Sequence, residues 1–262
     1  MTAAAGDHRR HRPAPRVLVV QNTETNQVRR LGDWWRADGL TLDVVPAYTG
    51  RALPERLTHD ALVILGGGFM PDDDHQAPWL PRTRDLARQA LQTDTPVLGV
   101  CLGGQLLAHV GGGTVRADAG APERGSTAIR IRPEADTDPL FHSLPAHVTA
   151  IENHVDAVEE LPRQAVWLAS SQACPYQAFR IGDSAWGVQF HPEVSADDLA
   201  RWDRSRMRAR GVDVDALVPP ARADEPAAAR VWRQVASRFA EQVRSTTPRT
   251  RLSAPAAGHG DS

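Results

Sequence analysis

Short apolar blocks alternate with longer amphipathic ones along the first hundred residues. The apolar blocks are "RVLVVQ" (16–21), "LTLDVV" (40–45), "DALVILG" (60–66) and "PVLGV" (96–100). Their near-continuous Val, Leu and Ile predict strands buried on both faces. Between them, "QVRRLGDWWRADG" (27–39), closed by Gly39, and "RTRDLARQALQTD" (82–94) have helical spacing. This alternation predicts a parallel sheet with helices on both faces. Segments near 113–117, 126–132, 147–152, 165–170, 176–182 and 185–190 are short, β-rich and separated by turns. They predict a small antiparallel extension of the sheet. After residue 196 the pattern is helical again, in "ADDLARWDRSRMRARG" and "EPAAARVWRQVASRFAEQV". The second block has apolar residues at 231, 232, 235, 239 and 243. Such a stripe packs back on the domain, the favoured reading, or forms a partner or dimer surface. The expected class is therefore α/β, with a mostly parallel central sheet, flanking helices and a small antiparallel β extension. Residues 1–15 and 246–262 lack apolar periodicity and read as a disordered leader and tail around one domain over 16–245.

Composition narrows the function. Net charge is −2, which gives no footprint for nucleic acid or a membrane surface. No apolar run reaches the roughly 18 residues of a membrane span, and the basic N-terminus lacks the apolar core of a secretory signal. The basic residues are all Arg and His, with no Lys. A Walker A phosphate loop and a Schiff base with pyridoxal phosphate are thereby excluded. Cys101 and Cys174 are too far apart in sequence for a disulfide framework or a zinc-ligand spacing. A reducing, cytoplasmic setting is expected.

Cys101 lies in "GVCLGGQ" (99–105), directly after an apolar strand. Gly-x-nucleophile-x-Gly is the pattern of a sharp strand-to-helix turn that exposes a nucleophile. There the positive end of the helix favours thiolate over thiol, and the N–H of Leu102 points where an oxyanion would form. A cysteine after an apolar strand is equally a small buried hydrophobe, so a partner base decides. "WGVQFHPE" (186–193) supplies one: a strand delivers His191 to its end, with Pro192 stopping it and Glu193 two residues on. A thiolate needs an imidazole to form the ion pair and protonate the leaving amine, and the imidazole needs a carboxylate to hold its tautomer. Cys174 has neither elbow glycines nor such a base beside it in sequence and reads as structural. Trp34, Trp35, Trp79 and Trp202 read as core or surface anchors.

"GVCLGGQ" followed by "GVQFHPE" resembles the paired signatures of the class I, triad-type glutamine amidotransferases, over about residues 16–195, and in particular their stand-alone, GMP-synthase-like branch. The resemblance implies a flavodoxin-like fold. It implies that Cys101 attacks the γ-carboxamide of glutamine, that a γ-glutamyl thioester forms and ammonia leaves, that His191 is the acid/base, and that Glu193 orients it. "LGGGFMPDDD" (65–74) resembles the family's glycine turn. Gly67 is then the second oxyanion donor beside Leu102, and its neighbour Gly68, which stands where the family usually has Pro, is expected to contact the substrate. Gln105 matches the last position of the cysteine motif and is expected to contact the amino-acid end of glutamine. "ENHVD" (152–156) is similar to the segment lining the substrate pocket. It makes His154, Val155 and Asp156 pocket residues, with Val155 in place of the usual Gly tightening the pocket. No cofactor and no metal are implied, and "DDDH" (72–75) reads as a solvated acidic loop.

Three activities remain open at this point. The first is a glutaminase that supplies ammonia to a synthetase on another chain. The second is a γ-glutamyl hydrolase or peptidase with the same triad. The third is a non-catalytic binding module on the same fold. The small-molecule partner is glutamine or another γ-glutamyl compound.

Overall fold

The computed structural model describes residues 13–246. The expected leader and tail lie outside them apart from their inner edges. The chain opens with β1 (Arg16–Gln21), α1 (Arg29–Ala37), β2 (Thr41–Pro46), β3 (Ala61–Ile64), α2 (Leu80–Gln92), β4 (Val97–Val100) and α3 (Leu102–Val110). It continues through β5 (Thr114–Arg116), β6 (Glu123–Ile131), β7 (His147–His154), β8 (Ala157–Glu160), β9 (Val166–Ser170), β10 (Ala178–Ile181) and β11 (Ala185–Val188). It closes with α4 (Ala196–Ala200), α5 (Arg204–Arg208) and α6 (Val214–Thr246). Among the described residues, nine strands form one sheet in the order β2-β1-β3-β4-β11-β10-β9-β6-β7, and β5 and β8 form a separate antiparallel pair. β2, β1, β3, β4 and β11 run parallel, while β10, β9, β6 and β7 continue the sheet antiparallel.

The pleat explains why the parallel strands read as continuous apolar runs. Along β1, Val17 and Val19 enter the layer under α1 and α6, and Leu18 and Val20 enter the layer under α2 and α3. Successive side chains of a strand face opposite sides, so a sheet covered on both faces needs apolar residues at every position.

The apolar stripe of α6 packs on the domain. Trp232, Val235, Phe239 and Val243 are buried, Val231 is partly buried, and Trp232 stacks on Phe190 with ring centroids 4.5 Å apart. Each fully buried side chain of this kind contributes about 1.5–3 kcal/mol. The helix begins at Val214 rather than Glu225, running through Pro219, Pro220 and Pro226. Prolines ordinarily mark breaks because they remove N–H donors; here tertiary packing carries the helix through them. The helical block expected from residue 196 is two short helices, α4 and α5. The break falls where the Asp203 carboxylate accepts from the N–H groups of Ser205 and Arg206 and starts α5 afresh.

Parallel strands end together, so residues following β1, β3, β4 and β11 meet at one edge of the sheet. This is the place where open α/β sheets bind ligands.

Candidate active site

Cys101 links β4 to α3 with φ +53° and ψ −110°. A residue with a Cβ pays on the order of 1–3 kcal/mol for such a backbone. Packing beneath it enforces the turn. A Cβ on Gly103 would lie 2.0 Å from the Ile64 carbonyl oxygen, one on Gly99 2.3 Å from that of Gly103, and one on Gly104 2.7 Å from that of Val188. Strands β3, β4 and β11 and helix α3 thus meet backbone to backbone, which only glycine permits. Cys101 donates its N–H to Val188 O at 2.8 Å, and Gln189 Nε2 donates to Cys101 Sγ at 3.6 Å. Leu102 is the first residue of α3, so its N–H is one of the donors a helix start leaves free.

The turn after β3 closes over the sulfur. A Cβ on Gly67 would meet Leu102 Cδ2 at 2.6 Å, and one on Gly66 would lie 3.1 Å from His191 Cε1 and 3.5 Å from Cys101 Cβ. The sequence motifs do not single out Gly66, yet it is the glycine of this turn that approaches both side chains. Gly68 has open space around its Cα. Buried Asn22 holds this turn, donating to Leu65 O at 2.7 Å and accepting from Trp79 Nε1 at 2.9 Å. Trp79 therefore orients the loop through Asn22. The acidic loop beyond is partly paired: Asp74 makes a bidentate bridge to Arg84, both contacts at 2.7 Å.

His191 follows β11 and is fixed by its own backbone, which donates to Ile151 O at 2.8 Å. Its Nδ1 lies 2.7 Å from Glu193 Oε1, and both side chains are buried. Burial pulls the imidazolium down, but the Glu193 carboxylate and the Cys101 sulfur outweigh it, and His191 titrates well above an ordinary histidine. The neighbouring carboxylate and sulfur thus favour the imidazolium form of His191. Arg30 Nε donates to Pro192 O at 2.8 Å and its guanidinium bridges to Glu225 at 2.6 Å. Thus α1 and α6 brace the turn that carries Glu193.

Two cavities meet at Cys101, Gly67, Gly68 and Asn153. The first, about 400 Å³, is also lined by Gln105, His154, Val155 and Asp156. The second, about 360 Å³, extends under α4 and α5 past His191, Trp202 and Arg206. Trp202 therefore faces the site. Gln105 lines the first cavity, but its side-chain N–H groups are engaged by Asp156 O (2.9 Å) and Gln189 Oε1 (3.1 Å). Asp156 Oδ1 in turn accepts from Asp118 N at 3.0 Å.

Behind the first cavity lies a buried polar cluster that the sequence motifs do not reveal. His154 Nδ1 faces Asp156 O at 3.1 Å, and its Nε2 faces Glu123 Oε2 at 3.1 Å and Glu152 Oε2 at 3.6 Å. Gln177 Nε2 donates to Glu123 Oε2 at 2.7 Å. Burial, reinforced by the charge of Glu123, holds the fully buried Glu152 carboxyl well above the usual carboxylate range. Cys174 belongs to this cluster too: spatially it does have a histidine and a carboxylate nearby. Burial pushes its thiol up to about 12, which favours the thiol over the nucleophilic thiolate. Glu123, His154 and Cys174 place donor atoms within 4.8 Å of one another, close enough to hold a metal. Glu123 already accepts from Gln177, so the cluster reads as a hydrogen-bonded core behind the pocket wall.

A family model described as glutamine amidotransferase class-I matches residues 21–200. The GMP synthase (glutamine-hydrolysing) of Aeropyrum pernix is 36% identical over 194 residues, 72% of this chain and 35% of that protein. The chain thus spans about a third of that relative's length. A glutamine-hydrolysing GMP synthase subunit from Methanococcus vannielii is 32% identical over 180 residues, 68% of this chain and 88% of that protein. Among solved structures, a glutamine amidotransferase from Thermotoga maritima superposes with a TM-score of 0.79 at 26% identity, covering 88% of this chain and all (100%) of that one. No helix among the described residues is long and apolar enough to cross a membrane. With a cysteine on a strained strand-to-helix turn, a buried histidine–glutamate pair beside it and this family match, the chain belongs to the class I glutamine amidotransferases, which are cysteine-dependent enzymes.

Proposed function

We propose that this protein hydrolyses the side-chain amide of glutamine through Cys101, His191 and Glu193 and passes the ammonia to a synthetase on another chain. The carrying observation is the strained Cys101 turn beside a buried His191 whose Nδ1 lies 2.7 Å from the Glu193 carboxylate. The Cys101 thiolate attacks the γ-carbonyl carbon. The resulting oxyanion is stabilised by the N–H groups of Leu102 and Gly67. His191 gives its proton to the departing nitrogen, ammonia leaves, and a γ-glutamyl thioester remains. Neutral His191 then takes a proton from water, the hydroxide adds to the thioester, and glutamate leaves as the thiolate reforms. Glu193 holds the ring through both steps. The Methanococcus relative is by name one subunit of its GMP synthase, which supports a partner on a second chain.

A specific observation supports a second reading. The cavity under α4 and α5, lined by Trp202 and Arg206, extends beyond Cys101 and gives room for a leaving group larger than ammonia. That arrangement suits a γ-glutamyl hydrolase. The test is glutamate release from glutamine and from a panel of γ-glutamyl amides and peptides, each with a Cys101→Ala control. Slow Cys101-dependent release from glutamine supports the ammonia-supplying reading. Fast release from the larger amides, with glutamine poor, replaces it with the hydrolase. No Cys101-dependent release from any of them refutes both.

A further inference from the structure

We infer that Arg124, seconded by Arg210, binds the α-carboxylate of the glutamine or γ-glutamyl substrate, the end of the molecule remote from the bond that breaks. The inference rests on the function proposed above and adds a recognition residue to it. Arg124 sits at the start of β6 and lines the cavity that holds Cys101, Gln105 and Asp156. One of its terminal nitrogens donates to the carbonyl oxygens of Glu123 and His154. This anchors the guanidinium to the two strands that form the pocket wall. Its Nε is buried and finds no hydrogen-bond partner. Arg132 Nε is likewise unpaired, but at Arg124 the second terminal nitrogen, which has no hydrogen-bond partner among the described residues, belongs to a side chain that lines the cavity.

Charge points the same way. Arg210 lines this cavity and the neighbouring one, and its charge repels that of Arg124, while the Cys101 sulfur attracts it. Two cations therefore share one cavity beside the sulfur, and neither forms an ion pair with a carboxylate among the described residues. Elsewhere the chain pairs buried or half-buried arginines readily, as in Arg84–Asp74, Arg30–Glu225 and Arg233–Asp38. Half-buried Arg124 and exposed Arg210 give this cavity a positive lining that fits an anionic ligand, and guanidinium forks match a carboxylate in shape. Glutamine carries one carboxylate, on its α-carbon. With that carboxylate on Arg124, the flexible side chain of the substrate is left to reach Cys101.

Arg124 also touches His154 O, so a purely structural role must be separated from binding. The measurement compares glutamine with 4-aminobutanamide, which is glutamine with its α-carboxylate replaced by hydrogen. Both are tested on the full chain and on Arg124→Gln, Arg124→Lys and Arg210→Gln. For wild type, 4-aminobutanamide is expected to be poorer than glutamine by roughly 30-fold or more in KM. Arg124→Gln is expected to raise KM for glutamine by a similar factor while kcat changes less than about threefold, and to leave KM for 4-aminobutanamide nearly unchanged. Arg124→Lys should recover part of the loss, and Arg210→Gln should show the same pattern more weakly. Equal losses on both substrates, or retained discrimination in Arg124→Gln, would overturn the inference. Should Arg124→Gln not fold, the Lys and Arg210 variants decide by the same ratio. Wild type that turns over no γ-glutamyl compound at all would instead sink the functional reading, and the inference with it. Binding of glutamine to Cys101→Ala, with and without Arg124→Gln, gives a readout independent of turnover.

Discussion

The two halves of the sheet are built differently. Strands β3, β4 and β11 are buried at every position, whereas β6 alternates buried and partly exposed residues along much of its length. In the parallel half the backbones touch through Gly99, Gly103 and Gly104. That contact leaves Cys101 one place to go, and the strands' common end brings His191 to it. The antiparallel half instead places polar side chains at its ends, Glu123 and Arg124 on β6 and Glu152 and His154 on β7. One half holds the strained Cys101 turn and brings His191 to it. The other places charged and hydrogen-bonding side chains on the wall of the first cavity. On the proposed function, the parallel half carries the reaction and the antiparallel half contributes to recognition.

The largest expected effect is on turnover. His191→Ala should lower kcat by about 10⁴-fold with a smaller change in KM, and Glu193→Gln should cost less, about 10–100-fold, because it removes the orienting group and spares the base. Steady-state kinetics checks both; a KM effect larger than the kcat effect in His191→Ala would break the separation. Next comes packing. Gly103→Ala drives a Cβ into the Ile64 carbonyl and should cost about 3 kcal/mol or more, on the order of 10 °C in Tm. In the antiparallel half, a Cβ on Gly125 (φ +78°) would meet only the Leu217 side chain at 2.9 Å. Gly125→Ala should therefore cost only about 1–2 kcal/mol. Similar melting temperatures for the two variants would contradict the backbone-contact reading.

The smallest effect tests the buried cluster. Glu152 holds its proton to a higher pH in the folded chain than in the unfolded one, because of burial and the charge of Glu123. Its contribution to stability is therefore full below the unfolded carboxyl value near about 4.3 and is lost as pH rises toward the folded value. Glu152→Gln removes that titration. Thermal melts from acid to neutral pH should show the variant gaining on wild type as pH rises, by a few degrees at most. A gap that is constant with pH would mean that Glu152 does not titrate in this window.

Much of this is legible in the sequence, for physical reasons. A sheet covered on both faces forces continuous apolar runs, so β1, β3 and β4 can be read off directly, while the edge strand β2 is mostly half exposed and carries Asp43 within its run. Cys101, His191 and Glu193 stand out in the sequence because glycine pattern, strand end and short spacing are local signals, and the structure brings the three side chains together. β8 is not: "AVEE" is half exposed and pairs only with the three-residue β5, so little apolar pattern is required of it. The early start of α6 is hidden by prolines whose local preference tertiary packing overrides. Asn22, Gly66, Glu123 and Gln189 escape because they act across the fold, on partners such as Leu65, His191, His154 and Cys101, and no local spacing records that.

The most direct test labels the protein with a glutamine analogue bearing a diazoketone at the γ-position and maps the adduct by mass spectrometry. A single adduct on Cys101, blocked by excess glutamine and absent in Cys101→Ala, is the expected result, with buried Cys174 untouched. An adduct on Cys174, or glutamine hydrolysis that persists in Cys101→Ala, would contradict the assignment of Cys101 as the nucleophile.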